Sequence, residues 1–140
     1  PDINPFPLQN GNESIHLQKY FLAATLSSSI GIYGPVFEYR ISTPMAPGKE
    51  EYLNSEKYEY FKWDWEKQNK ITTLITRINT IRKEQASLQQ TNNIVFCATN
   101  NDQIMAYYKF DDDKQDETLM VASLDSNYTA QSMVLLQKQK

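Results

Sequence analysis

The stretch Lys49-Glu50-Glu51-Tyr52-Leu53-Asn54-Ser55-Glu56-Lys57-Tyr58-Glu59-Tyr60 gathers charges, carbonyl-type side chains and three tyrosines into twelve residues. A tyrosine offers an apolar ring face and a hydroxyl, lysine offers donors, and glutamate and asparagine offer acceptors. That set suits the recognition of a sugar. The stretch has neither a helical stripe nor strand alternation, and it follows the Pro- and Gly-rich run Thr43-Pro44-Met45-Ala46-Pro47-Gly48. It reads as a long ordered loop, and such loops inside compact domains usually carry function. A solvated loop pinned down by its tyrosines is the other reading open at this level.

Other chemistries find less support. The single imidazole, His16, falls inside a predicted helix and lacks triad or metal partners, so it reads as a helix-face or capping residue. Cys97 is alone in an apolar run and reads as a small core residue; one cysteine excludes an internal disulfide and fits a reducing compartment. There is no Gly-rich phosphate loop and no Cys/His cluster, so neither a metal nor a cofactor is expected. Asp111-Asp112-Asp113 lacks the spacing and glycine of a calcium loop and reads as an exposed hairpin turn. Asp2 sits in a Pro-flanked loop ahead of a helix, which by itself marks a turn residue. Carboxylate chemistry with sugar-type contacts is what remains.

Composition bounds the rest. A chain of 140 residues can bury a core. A net charge of −3 without a basic run argues against nucleic acid, and no apolar stretch approaches a membrane span. The chain begins Pro1-Asp2 with no methionine and no signal-peptide pattern, and it reads as a piece of a longer protein.

The elements that must position these residues fall into two halves. Residues 1–12 read as a loop with Asn12 as an N-cap. Residues 13–27 form an apolar helix, and 30–37 a short buried strand that opens into the long loop. Residues 68–85 give the clearest helix, with Ile71, Leu74, Ile75, Ile78 and Ile81 on one face and Arg77, Arg82, Lys83 and Glu84 on a solvated side. Beyond a boundary at residues 87–92 come four predicted antiparallel strands, 94–98, 104–110, 118–124 and 131–136, forming a meander and a separate unit. Helix, buried strand, loop and helix is an α/β rhythm, and the second half is all-β.

Taken in order, Pro1-Asp2-Ile3-Asn4-Pro5, Leu22-Ala23-Ala24-Thr25-Leu26-Ser27, Gly31-Ile32-Tyr33 and Glu50-Glu51-Tyr52-Leu53-Asn54-Ser55-Glu56-Lys57-Tyr58-Glu59 resemble one family. It is the α-1,4-glucan:maltose-1-phosphate maltosyltransferases, of the α-amylase superfamily. Ile75-Thr76-Arg77-Ile78-Asn79-Thr80-Ile81-Arg82 and Ala86-Ser87-Leu88-Gln89 continue the likeness. It covers essentially the whole chain, closely to about residue 90 and more loosely after it. The 50–58 string is the specific part. The family usually carries Asp where this chain has Asn54, residues 37–42 also depart, and the run Phe61-Lys62-Trp63-Asp64-Trp65 is more aromatic than the family leads one to expect.

The resemblance implies that residues 1–90 are the last part of a catalytic TIM (β/α)8 barrel, and that residues 91–140 start a C-terminal antiparallel β-sandwich. Active sites of such barrels lie at the C-terminal ends of the strands. The implied reaction moves maltosyl units from α-maltose 1-phosphate to the non-reducing end of an α-1,4-glucan, with phosphate release and retention. Retention needs two carboxylates about 5 Å apart; in the family both come from earlier strands, upstream of Pro1, so the chain alone is expected to be inactive. Asp2 would be the third catalytic carboxylate, a transition-state stabiliser on the hydroxyls at C2 and C3. Lys57 and Tyr58 would bind the donor maltose, with Glu56 beside them. The resemblance further implies a cytoplasmic, homodimeric parent that binds neither nucleic acid nor membrane. Another α-amylase-type hydrolase or transglycosylase, and a non-catalytic carbohydrate-binding protein, are the alternatives.

Overall fold

The computed structural model describes residues 3–9, 12–55, 59–113 and 115–136. Two long helices lie against one face of a four-stranded antiparallel sheet, and the 42–67 loop region flanks the helices.

The first helix, α1 (Glu13–Leu26), starts where the sequence predicts. The Asn12 side chain accepts a hydrogen bond from the Ser14 N–H at 2.8 Å, which satisfies one of the orphan donors of a helix start. The other long helix, α3 (Lys70–Glu84), has a reciprocal cap. Asn69 Oδ1 accepts from the N–H groups of Ile71 and Thr72, and Thr72 Oγ1 accepts from the Asn69 N–H. Its isoleucine stripe packs as the spacing predicts: Ile78 joins Tyr20 and Ala24 of α1 in one buried cluster, flanked by Leu74 and Ile75.

Arg82 does not lie on a solvated side. Its guanidinium donates to the carbonyls of Ala24, Ser27 (3.0 Å) and Ser28 (2.6 Å), at the C-terminal end of α1. A planar fork of donors meets a set of carbonyls that no helical N–H can reach, at the negative end of the helix dipole. Helical spacing placed Arg82 off the apolar stripe correctly, yet said nothing of the neighbouring helix end.

The strands are β1 (Ile94–Thr99), β2 (Ile104–Phe110), β3 (Glu117–Ser123) and β4 (Val134–Leu135). Their order across the sheet is β3-β2-β1-β4. The predicted meander is therefore corrected to a Greek key: three hairpin-connected strands, then a fourth that returns beside the first. The hairpin turn Asn100-Asn101 holds that return. Asn100 Oδ1 accepts from the Met133 N–H and the Ser132 hydroxyl, and Asn101 Nδ2 donates to the Gln131 carbonyl. Asp111 works likewise at the β2–β3 turn, where Oδ1 accepts from the N–H groups of Gln115 and Asp116.

The sheet and the helices share a core. Tyr107 of β2 and Met120 of β3 are buried with Leu88, and Phe21, Leu22, Leu26 and Ile81 of the helices pack on them. Thr25 Oγ1 donates to the Phe21 carbonyl, so at 2.5 Å it is the Tyr107 hydroxyl that donates to Thr25. Lys109, also on β2, is fully buried and donates to the Gln90 carbonyl. Burial, and then the nearby Arg82 charge, hold its pKa below the usual lysine value.

The barrel expectation is overturned. Among the described residues every strand pair is antiparallel, and the sheet is a single layer with its helices on one face. The predicted buried strand over 30–37 is instead irregular chain followed by a one-turn helix, α2 (Gly34–Glu38). Pro35 occupies the first turn, where its fixed φ favours a helix and its missing N–H costs nothing. A strand also needs a neighbouring strand to take its backbone groups, and among the described residues no strand or bridge includes residues 30–33. The structure is therefore an antiparallel sheet with packed helices, without the barrel portion and without a second sheet among the described residues.

Candidate functional site

The long loop is ordered over residues 42–53, and the N-terminal segment holds it. Ile3 forms an antiparallel bridge with Glu51, and Pro44 forms one with Tyr52. The Asn4 N–H donates to the Glu50 carbonyl at 2.6 Å. Asn4 is fully buried, and its Nδ2 donates to the Ser42 carbonyl at 2.8 Å. Gln9 Nε2 bonds the carbonyls of Asn4 and Lys49, both at 2.8 Å. Within the loop, Met45 N–H donates to the Glu51 carbonyl and Leu53 N–H to the Thr43 carbonyl. Residues 3–9 and 42–53 thus form one hydrogen-bonded frame. The turn at its tip uses Gly48, whose φ of +76° lies in the left-handed region.

Asn54 adopts a φ of +55°. Asn is among the non-glycine residues that tolerate this region best.

Asp2, Glu56, Lys57 and Tyr58, the residues predicted to do the chemistry, lie outside the described residues. Their described neighbours are Ile3 and Asn4 on one side, and Ser55 and Glu59 on the other. Glu59 N–H donates to the Ser55 carbonyl at 3.1 Å.

An apolar hollow of about 250 Å³ adjoins this frame, with Ile3, Tyr20, Ile32, Tyr33, Phe37 and Tyr52 in its wall. The rings of Tyr33 and Tyr52 meet at 5.9 Å, tilted by 57°. Burial pushes the Tyr20 and Tyr52 phenols up, so both stay protonated as hydrogen-bond donors. Tyr20 already donates to Asn79 Oδ1 at 3.0 Å. A ring face beside a phenolic donor is the kind of contact that the sequence reading assigned to sugar recognition.

His16 is buried in the first turns of α1, and its ring packs against Phe37 at 5.2 Å. Nδ1 lies 2.8 Å from the Asn12 carbonyl, so it carries the proton and donates. Burial lowers its pKa, the Asn12 hydrogen bond opposes that, and the Arg40 charge lowers it further. Of the helix-face and capping readings, the geometry fits the helix-face one, because a ring N–H that donates to a carbonyl satisfies none of the orphan N–H groups of the helix start. Cys97 is half-buried, and burial pushes its thiol up, away from the reactive thiolate.

A wider cleft of about 640 Å³ opens elsewhere, between α1, the start of α3 and β3. Leu17, Phe21, Leu74 and Val121 give it apolar walls, beside Lys70 and Arg77. No Asp, Glu, His or Cys lines it, and size alone does not make it the site. Among the described residues no group of three or more His, Cys, Asp or Glu could hold a metal ion. Nor is any helix among them long and apolar enough to cross a membrane.

Sequence reasoning located the loop but missed what fixes it. Asn4 was read only as part of the Pro1–Pro5 string. The Pro-flanked asparagine was the available signal, because a short amide side chain there often bonds neighbouring backbone. Its partner, 38 residues away, had no local signature.

Comparison with known proteins bears on this loop and on the sheet. Residues 96–140 match the family described as "GLGE, C-terminal". An α-1,4-glucan:maltose-1-phosphate maltosyltransferase of Methylacidiphilum infernorum is 43% identical over 127 residues, 91% of this chain and 19% of that protein. The protein of the same name from Chlorobaculum tepidum is 42% identical over 135 residues, 92% of this chain and 20% of its own length. That of Salinibacter ruber is 37% identical over 136 residues, 97% of this chain and 20% of its own. The chain spans about a fifth of the length of the curated relatives it matches. The likeness thus extends along nearly the whole sequence: the chain is similar to about a fifth of each of these α-1,4-glucan:maltose-1-phosphate maltosyltransferases, and its residues 96–140 to the "GLGE, C-terminal" family.

Proposed function

We propose that this chain is part of a retaining enzyme that moves maltosyl units from α-maltose 1-phosphate to the non-reducing end of α-1,4-glucans, releasing phosphate. Residues 1–90 belong to the catalytic part of the parent, and residues 91–140 begin its C-terminal domain. The parent is cytoplasmic and homodimeric and uses no metal or cofactor.

Asp2 holds the hydroxyls at C2 and C3 of the reacting sugar. Those hydrogen bonds strengthen as positive charge develops at the anomeric carbon, so they lower the barrier more than they tighten binding. Lys57 donates to donor hydroxyls, Tyr58 stacks and donates, and Glu56 accepts. The nucleophile and the acid/base are other carboxylates of the parent. The observation that carries this reading is the similarity to relatives of that name over nine-tenths of the chain. The backbone ladder tying residues 3–4 to residues 50–51 supports it, because it joins the described residues that follow Asp2 to the loop that precedes Glu56.

The test is phosphate release by the full-length parent given α-maltose 1-phosphate and a malto-oligosaccharide, beside Asp2→Asn. The variant should lose roughly a thousandfold in kcat, the scale of the several kcal/mol that such hydroxyl contacts supply, with donor binding largely kept. Hydrolysis of plain α-glucans without phosphate release would replace this reading by a hydrolase. Inactivity towards both would leave a carbohydrate-binding protein.

A further inference from the structure

Asn4 is bonded to both arms of the loop at once. Its N–H donates to the Glu50 carbonyl at 2.6 Å, and its Nδ2 donates to the Ser42 carbonyl at 2.8 Å. Residues 42 and 50 lie on opposite arms, which the Pro44–Tyr52 bridge and the hydrogen bonds of the Met45 and Leu53 amides hold together. Ile3 adds its bridge to Glu51, so residues 3–4 run along the loop as a third extended segment. The chain is fixed on the other side of Asn4 as well. Gln9 Nε2 donates back to the carbonyls of Asn4 and Lys49, and a single 3-10 turn, Phe6–Leu8, follows Pro5.

The Asn4 amide adds little net stability. The side chain is fully buried, and its Oδ1 is a buried acceptor with no partner among the described residues. The bond gained through Nδ2 is offset by the desolvation of Oδ1, so an apolar side chain of similar shape would serve packing about as well. What the amide supplies is position. Asp2 lies outside the described residues, but it is bonded to Ile3, and successive Cα atoms are only about 3.8 Å apart. Whatever fixes residues 3 and 4 on the loop therefore limits where the Asp2 carboxylate can reach. A catalytic hydrogen bond is sensitive to such placement, because a shift of about 1 Å can cost roughly a hundredfold in rate.

We propose that Asn4 is a positioning residue for the reaction: it holds the segment that follows Asp2 against both arms of the 42–53 loop, and so sets the Asp2 carboxylate at the hydroxyls of the reacting sugar. The proposal rests on the reading that Asp2 stabilises the transition state. Asn4 is buried and acts through the backbone of Ile3, not on the sugar. The Asp2 hydrogen bonds strengthen as the anomeric carbon becomes positive, so a displaced carboxylate loses more in the transition state than in the bound donor. Loss of the Asn4 amide therefore falls on kcat, and KM for the donor stays nearly as it was.

The experiment measures kcat and KM for α-maltose 1-phosphate by phosphate release, with the melting temperature alongside. It uses the full-length parent, its Asn4→Ala, Gln9→Ala and Asp2→Asn forms, and the double form that joins Asp2→Asn to Asn4→Ala. Folded Asn4→Ala should lose roughly 30- to 100-fold in kcat while KM moves by less than about threefold. Gln9→Ala loosens the same segment from a half-buried position and should lose roughly three- to tenfold in kcat, which decides the matter if Asn4→Ala does not fold. In the Asp2→Asn background, Asn4→Ala should cost less than about twofold more, because the carboxylate it positions is already gone. A role in the fold alone predicts the same loss in both backgrounds, and that additivity would overturn the proposal. So would wild-type kcat in folded Asn4→Ala and Gln9→Ala, or a rise in KM without a fall in kcat. Asp2→Asn at wild-type kcat would sink the role of Asp2 and the positioning with it, whereas a collapse in Asp2→Asn beside unaffected Asn4→Ala would sink the positioning alone.

Discussion

The helix–sheet body and the loop residues 42–55 and 59–67 are both ordered, but by different means. The body rests on buried apolar clusters centred on Tyr20, Ile78, Tyr107 and Met120, with Arg82 closing the end of α1. Each such side chain contributes roughly 1.5–3 kcal/mol when fully buried. The loop exposes most of its side chains and is held instead by hydrogen bonds from Asn4 and Gln9 and by ring contacts of Tyr33, Tyr39 and Trp63. Hydrogen bonds contribute about 1 kcal/mol each, and they fix position more than they add stability. The contrast teaches a division of labour: apolar burial makes the fold persist, and polar stitching leaves the loop's side chains available to a ligand.

Three changes would break or sharpen that contrast. The largest effect should come from Arg82→Ala. It strands three carbonyls at the end of α1 and should lower the stability of the whole body by about 2–3 kcal/mol in denaturant titration. Arg82→Lys should recover only part of that, because an ammonium lacks the planar fork.

Asn4→Ala should act on the loop instead. It leaves the Ser42 carbonyl without its donor, but it also removes Asn4 Oδ1, a buried acceptor with no partner among the described residues. The two partly offset, so global stability should fall by only about 1 kcal/mol. Hydrogen exchange should nevertheless speed up at the Met45 and Leu53 amides, which belong to the same frame. Unchanged exchange there, with a large global loss, would show that Asn4 serves the body and not the loop.

The smallest effect is that of pH on His16, where α1 meets Phe37. Its folded pKa is depressed, chiefly by burial, from an ordinary value of 6.5. Below that value the unfolded chain binds the proton more readily than the folded one. The His16 contribution is therefore fully present above pH 6.5 and is lost as pH falls towards the folded pKa. Unfolding midpoints measured from pH 7.5 downwards should decline through this window, and His16→Gln should flatten the decline. A midpoint independent of pH there would contradict the buried neutral imidazole.

Local order was legible in the sequence. Asn12 marks the start of α1, the isoleucine stripe gives the packed face of α3, and alternation with turn residues places β1, β2 and β3 to within about a residue. These features depend on contacts between residues a few positions apart, and periodicity records such contacts directly. The 30–37 stretch shows the limit. Its apolar residues suit a strand, but Gly34-Pro35 is also the start of a helical turn, and without a paired neighbour the turn prevails.

What the sequence determined by itself is the kind of element at most positions, the family resemblance, and the loop that carries the sugar-type side chains. What only the tertiary structure decided is which distant groups meet: Arg82 with the end of α1, Asn4 with Ser42, Tyr107 with Thr25, and β4 with β1 rather than β3. The physical reason is the same in each case. A buried carbonyl or hydroxyl must find a partner, any suitably placed group will serve, and the chain's path through space, not its local pattern, determines which group that is.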